Sequence, residues 1–181
     1  MIAALMVLQR AIGFARSFYV CDVLPSEQVG RWDLAFNFFV LAAPLAVFGI
    51  PGSFGRYVAT YEETGQSNRF FRNSLVACLI LTSVFAFIFW SFHQSIALYF
   101  LGSAGDATLA KWLAIGLPAV VFFNFATSWF TGRRFNRYVF RMQFAQTLFF
   151  ALFCVLFLQA WGAIGEAVIA AYLGSCLVGL V

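Results

Sequence analysis

The stretch WDLAFNFFVLAAPLAVFGIPGSFGRYVATYEETGQ, residues Trp32–Gln66, decides the fold. Its segment Leu34–Gly55 carries no charge and matches the roughly 20 apolar residues that a membrane-spanning helix requires. The helix breakers in Gly49–Gly52 interrupt this segment, and charged residues beginning with Arg56 follow it. We therefore predict a span that ends at a membrane face, followed by a short helix over Phe54–Thr64 in the headgroup region.

The composition of the whole chain indicates that lipid is its solvent. Of the 181 residues, 63% are hydrophobic and only 10% are charged, whereas about a quarter of a soluble domain is charged. The four cysteines are scattered without metal or redox spacing, so we interpret them as packed free thiols. No metal site and no cofactor are predicted.

Further long apolar runs predict an all-α polytopic membrane protein. Helices are expected because a backbone facing lipid must satisfy its own hydrogen bonds, and the runs are too long and continuous for barrel strands. We predict a single transmembrane lobe over residues 1–181, a bundle of about six helices. Their approximate spans are 1–20, 34–52, 73–93, 112–132, 142–161 and 163–181.

Basic residues predict the orientation of this lobe. Alternate loops carry seven arginines and the opposite loops only two basic residues, which places the arginine-rich loops and the N-terminus in the cytoplasm. The segment RRFNRYVFR, residues Arg133–Arg141, also resembles a nucleic-acid binder. Its position between two spans favours contact with anionic lipid headgroups and no nucleic acid. The seven arginines are Arg56, Arg69, Arg72, Arg133, Arg134, Arg137 and Arg141.

Polar residues inside the predicted spans are the candidate binding residues, because no motif of an enzyme is present. An arginine near the centre of a span is costly and persists where it has a use. Arg10 is therefore favoured as a cavity residue, whereas Arg16 either faces the cavity or extends to the interface. Asp33 and Asn37 share one helical face.

A further polar stripe lies on the fourth predicted span. Stripes of this kind indicate a hydrated cavity or ordinary hydrogen bonds between helices, and the pattern does not decide between the two. The stripe consists of Asn124, Thr127, Ser128 and Thr131.

An ordered set of motifs resembles a known family. The chain contains R-x-x-G-F-x-R from Arg10 to Arg16, then EQVGRWDLA, then GIPGSFGRYVATY, and later WGAIGEA over Trp161–Ala167. These motifs resemble the polysaccharide flippases, which are the O-antigen and exopolysaccharide exporters of the multidrug/oligosaccharidyl-lipid/polysaccharide superfamily. The resemblance covers essentially the whole chain.

The resemblance implies translocation of lipid-linked oligosaccharide or polysaccharide precursors across the bacterial inner membrane, without bond chemistry. The family has two six-helix lobes, so we expect this chain to be the N-terminal lobe, working with a C-terminal lobe or a second chain. The expected ligand is a polyprenyl-linked glycan, whose pyrophosphate suits the bidentate guanidinium fork of Arg10 or Arg16. The alternatives are a cation-coupled multidrug antiporter of the same fold and a truncated membrane protein without transport activity.

Overall fold

The computed structural model describes residues 2–98, 107–162 and 164–180. The prediction of an all-α protein is confirmed, since these ranges contain eight α-helices and no strand. The helices are Ile2–Val23 (α1), Ser26–Ala46 (α2), Phe54–Glu63 (α3), Ser67–Ser91 (α4), His93–Ile96 (α5), Ala107–Gly132 (α6), Asn136–Trp161 (α7) and Gly165–Val178 (α8).

Three of these helices are long and apolar enough to cross a membrane, namely α4, α6 and α7. The bent pair of α2 with Ile50–Glu63 would make a fourth span. Six spans were expected from the sequence. The arginines of α1 lower its mean hydropathy and α8 has only 14 residues, so neither is among the spans found in the described ranges. The predicted span boundaries stay predictions, and residues 1, 163 and 181 at their ends lie outside the described ranges.

The chain forms two compact units, which are described separately below. The first unit contains Met1–Asn37 and Arg137–Val181, and the second contains Phe38–Asn136. In the first unit, Gly165 at the start of α8 lies directly against α2. Its backbone N–H donates a 2.9 Å hydrogen bond to Oε1 of Gln28, and a Cβ at this position would lie 3.1 Å from the Gln28 carbonyl oxygen.

A sharp break follows α2 in the second unit, where the sequence predicted one. The backbone N–H of Gly49 donates to the carbonyl of Pro44 at 2.9 Å, and the chain turns by 67° into the segment Ile50–Glu63. Gly49 has a φ of +67°, and Phe48 before it has a φ of +49°. A left-handed phenylalanine is strained, so the packing around the turn must hold it in place.

The helix α3 docks through two buried residues, Phe54 at its start and Val58 one turn later. Phe54 is fully buried, with its ring 5.7 Å from Phe70, 5.1 Å from Phe125 and 5.5 Å from Trp129, centroid to centroid. These edge-to-face contacts are the favoured geometry for aromatic pairs. The predicted short helix after the break is therefore packed against α4 and α6.

Gly132 allows this close packing, and its replacement by alanine is expected to destabilise the protein. A Cβ there would lie 3.1 Å from the backbone oxygen of Phe54 and 3.2 Å from its carbonyl carbon. Because backbone atoms cannot rotate away, we expect Gly132→Ala to lower the free energy of unfolding by about 1–3 kcal/mol. Thermal unfolding in detergent measures the change. Gly55→Ala is the control, since a Cβ at Gly55 meets nothing within 4 Å; an equal loss in both variants would contradict the steric explanation.

Candidate functional site

The packed face of α1 carries two polar residues, Gln9 and Arg16. They are seven residues apart and therefore lie on the same side of the helix. Nε2 of Gln9 donates a 3.1 Å hydrogen bond to the hydroxyl of Thr147 on α7. The guanidinium carbon of Arg16 lies 4.0 Å from the centroid of the Phe150 ring, also on α7. The interface between α1 and α7 therefore contains a cation and an amide as well as apolar groups.

Arg16 is half-buried and is held by the face of an aromatic ring. No carboxylate within the described ranges forms an ion pair with it. A cation over a ring is stabilised through the flat face of the guanidinium, whereas the donors that bind oxyanions lie along its edge. The guanidinium of Arg16 thus lies over the Phe150 ring, and its N–H groups are donors of the kind that binds anions.

Phe150, the residue that Arg16 contacts, belongs to a connected group of four aromatic residues. We call this group the aromatic cluster. Trp32 is 5.5 Å from Phe150, 5.6 Å from Phe36 and 5.8 Å from Tyr172. Tyr172 in turn lies 5.3 Å from Phe150 and 5.7 Å from Phe36. The cluster joins α2, α7 and α8 and gives Arg16 a packed, largely apolar surrounding.

The other sequence-predicted residues of the first unit are exposed. Arg10 lies on a different side of α1 from Arg16 and is exposed, and no ion pair involving it is found in the described ranges. Asp33 and Asn37 are exposed one turn apart on α2, on either side of Phe36. This polar pair therefore lies on the same stretch of α2 as Phe36, a member of the aromatic cluster.

The polar stripe of α6 belongs to the second unit. The hydroxyl of Thr127 donates to the Phe123 carbonyl at 2.9 Å, and that of Thr131 donates to the Thr127 carbonyl at 2.7 Å. These two hydroxyl hydrogens are therefore used within the helix, which leaves the oxygens as acceptors.

Asn124 and Ser128 on the same helix border a cavity of about 260 Å³. Its remaining lining comes from the end of α2, the turn after it and Val121. The cavity is therefore mostly apolar, with one amide and one hydroxyl on its α6 side.

The eight predicted binding residues thus divide evenly between the two units. Four lie in the first unit and four in the second, and a cavity common to both sets stays a prediction. The sequence reasoning missed Gln9 and the aromatic cluster. Gln9 had a detectable signal, because it stands two helical turns before Arg16. The cluster had none, because Phe150 is one of 25 phenylalanines in the chain.

Six of the seven loop arginines are exposed, and the seventh makes an ion pair. Nε of Arg133 donates to Oε1 of Glu62 on α3, and its guanidinium lies 5.3 Å from the Phe135 ring. Arg134 follows in a left-handed conformation with a φ of +60°. Arg133 therefore ties α3 to the end of α6.

Within the described ranges no group of three or more potential metal-binding side chains occurs.

Several helices are apolar and long enough to span a membrane, and polar residues lie between helices. The protein therefore belongs to the class of multi-pass membrane proteins. Residues 1–181 match the family described as "Polysaccharide biosynthesis protein". The chain therefore belongs to this family, which is the family of the polysaccharide and O-antigen flippases, and the resemblance noted in the sequence is confirmed. Family membership supports a polysaccharide-related membrane transporter in general terms. No significant match is found among the curated proteins or among the solved structures.

Proposed function

We propose that this protein flips lipid-linked oligosaccharide or polysaccharide precursors across the bacterial inner membrane. The observation that carries the proposal is Arg16, a half-buried guanidinium in a helix of a membrane transporter family, held by Phe150 and not by a carboxylate of the described ranges. A cation in such a position is costly unless an anion uses it. A lipid-linked glycan carries its anionic phosphates between the lipid and the sugar, where a residue of this kind would meet them.

In this proposal Arg16 is the first ligand of the pyrophosphate and Arg10 the second. The sequence favoured Arg10, whereas this proposal ranks Arg16 first, because Arg16 is half-buried against Phe150 and Arg10 is exposed. A guanidinium binds two phosphate oxygens at once, and its bonds to anions are stronger than neutral ones. The sugar hydroxyls would meet the remaining polar candidates. These are Asp33, Asn37, Asn124, Thr127, Ser128 and Thr131.

Translocation moves the substrate without making or breaking a covalent bond, so no catalytic residue and no cofactor is proposed. The competing drug antiporter would use an acidic residue deep in a span. Asp33 is the eighth residue of α2, and Glu166 is the second residue of α8. Asp33 directly precedes the predicted span 34–52, and Glu166 lies near the start of the predicted span 163–181. Neither is deep in a predicted span, so we favour the glycan carrier.

Transport by alternating access requires two lobes around a central site. We therefore expect this chain alone to move no fluorescent lipid-linked glycan in proteoliposomes, and a co-reconstituted second lobe to restore movement. Dithionite quenching of the outer-leaflet label measures the flipped fraction over time. Liposomes holding the second lobe alone are the control. Flipping by the single chain at the two-lobe rate would contradict the two-lobe proposal, and drug export without glycan flipping would favour the antiporter.

The proposed orientation places the arginine-rich loops and the N-terminus in the cytoplasm. We expect a single cysteine at Asn136 to resist a membrane-impermeant thiol reagent in intact cells, and one at Gln94 to react. Both positions are exposed, so access and not burial decides the labelling, and the four native cysteines must first be replaced. Labelling of permeabilised cells is the control, in which both cysteines should react. The reverse pattern in intact cells would invert the topology.

A further inference from the structure

The corner between α3 and α4 in the second unit forms a polar cavity of about 350 Å³ that is open to the surface, with three of its five lining side chains exposed. A single water needs only about 10–15 Å³ by a comparable measure, so the cavity has room for a larger group. Its lining residues from the start of α4 recur at helical spacing and share one face of the helix. The cavity is lined by Tyr61, Gln66, Arg69, Phe70 and Asn73.

The aromatic wall of this cavity is held in place by packing, and its turn by a backbone hydrogen bond. The Tyr61 ring stacks flat on Phe70, with centroids 4.4 Å apart and an interplanar angle of 8°. Phe70 itself packs against the buried Phe54 at 5.7 Å. The backbone N–H of Gln66 donates to the Tyr61 carbonyl at 2.9 Å. A cavity that is formed in advance loses less conformational entropy when a ligand binds.

The chemistry of the lining favours an anion. Arg69 supplies a guanidinium, and Gln66 and Asn73 supply amide N–H groups. No carboxylate lines the cavity. Of the two glutamates at the end of α3, Glu62 is already paired with Arg133. Hydrogen-bond donors thus exceed acceptors here, and the one formal charge on the lining is positive.

The position of the cavity along α4 sets its depth in the membrane. It occupies the first two turns of a helix that is otherwise apolar and of spanning length. Basic residues at the end of a span lie at the level of the lipid headgroups. We propose that this cavity binds a phosphate group, carried either by an anionic phospholipid or by a free phosphate ion.

The test uses the full chain in phosphatidylcholine nanodiscs that contain increasing amounts of phosphatidylglycerol. Thermal unfolding followed by tryptophan fluorescence gives the mole fraction of phosphatidylglycerol that produces half of the maximal stabilisation. We expect Arg69→Gln to raise this mole fraction about five- to tenfold, because a charge-assisted hydrogen bond is lost. Asn73→Ala is expected to raise it about two- to threefold through loss of a neutral one. This milder variant keeps the proposal testable if Arg69→Gln does not fold.

Arg137→Gln is the matched control, since it removes the same charge from an exposed arginine that does not line the cavity. Because the segment Arg133–Arg141 is itself expected to contact anionic headgroups, this variant measures the loss of a general headgroup contact. It should raise the mole fraction for half-maximal stabilisation far less than Arg69→Gln does. A second series adds inorganic phosphate to pure phosphatidylcholine nanodiscs, with chloride at equal ionic strength as reference. Stabilisation by phosphate alone assigns the free ion, and stabilisation only by phosphatidylglycerol assigns the lipid. Equal losses in Arg69→Gln and Arg137→Gln, or no stabilisation of the parent by either ligand, would overturn the proposal.

Discussion

Replacing Arg16 by alanine is expected to reduce glycan flipping about tenfold or more at matched protein levels in the membrane. The side chain would provide charge-assisted hydrogen bonds to the pyrophosphate, and such bonds contribute about 1.5–3 kcal/mol each, where 1.4 kcal/mol corresponds to tenfold. Arg16→Lys keeps the charge but loses the planar fork and its fit to the Phe150 face. We therefore expect an intermediate rate from the lysine variant in the same two-lobe proteoliposome assay.

Two comparisons separate binding by Arg16 from a purely structural role. Arg141→Ala removes an exposed arginine outside the proposed site and should flip glycan like the parent. Thermal unfolding of Arg16→Ala shows whether loss of the contact with Phe150 has loosened the packing of α7. A variant that unfolds like the parent and flips slowly supports a ligand role. If Arg16→Ala flips glycan at the rate of the parent, Arg16 has only a packing role.

The variant Arg10→Ala tests which of the two arginines contributes more to glycan flipping. We expect a smaller loss of flipping from it than from Arg16→Ala, because Arg10 is exposed whereas Arg16 is half-buried against Phe150. A larger loss from Arg10→Ala would restore the order that the sequence favoured. That order rested on depth along the helix, which the sequence shows. The ranking from the sequence did not consider the face of α1 that packs against α7, because the sequence does not show that face.

Arg10 and Arg16 illustrate which features of the candidate site can be predicted from the sequence and which cannot. Six residues rotate an α-helix by about 240°, so the two side chains point to different sides whatever the fold. Only the position of α7 makes one of those sides the packed one. Helix type could be predicted because every apolar run must satisfy its own backbone, and the break after α2 could be predicted from its glycines and proline. Contacts between distant helices, such as Gln9 with Thr147, depend on tertiary packing and leave no local pattern.

The same limit applies to α3. The break and the charged residues after it predicted a short helix over Phe54–Thr64, and the structure has one over Phe54–Glu63. The sequence did not indicate that Glu62 pairs with Arg133, 71 positions later, or that Gly132 touches the backbone of Phe54. Together these contacts turn a surface helix into a docked part of the second unit. The cavity between α3 and α4 depends on that docking, because Phe54 supports the Phe70 ring of its wall.

Phe54→Ala is therefore expected to lower the free energy of unfolding by about 3–5 kcal/mol, the range for a buried phenylalanine in a packed core. Phe54 has no exposed area and contacts three aromatic rings, so its removal leaves a cavity that loses dispersion contacts even where lipid is the solvent. Phe48→Ala is the matched control, because Phe48 is 82% exposed and alanine keeps the same left-handed backbone. We expect it to change the free energy by less than about 0.5 kcal/mol. Denaturant unfolding in detergent micelles measures both, and limited proteolysis near Gly65 should cut Phe54→Ala first. Equal stability of the two variants would show that α3 lies on the membrane surface without being docked through Phe54.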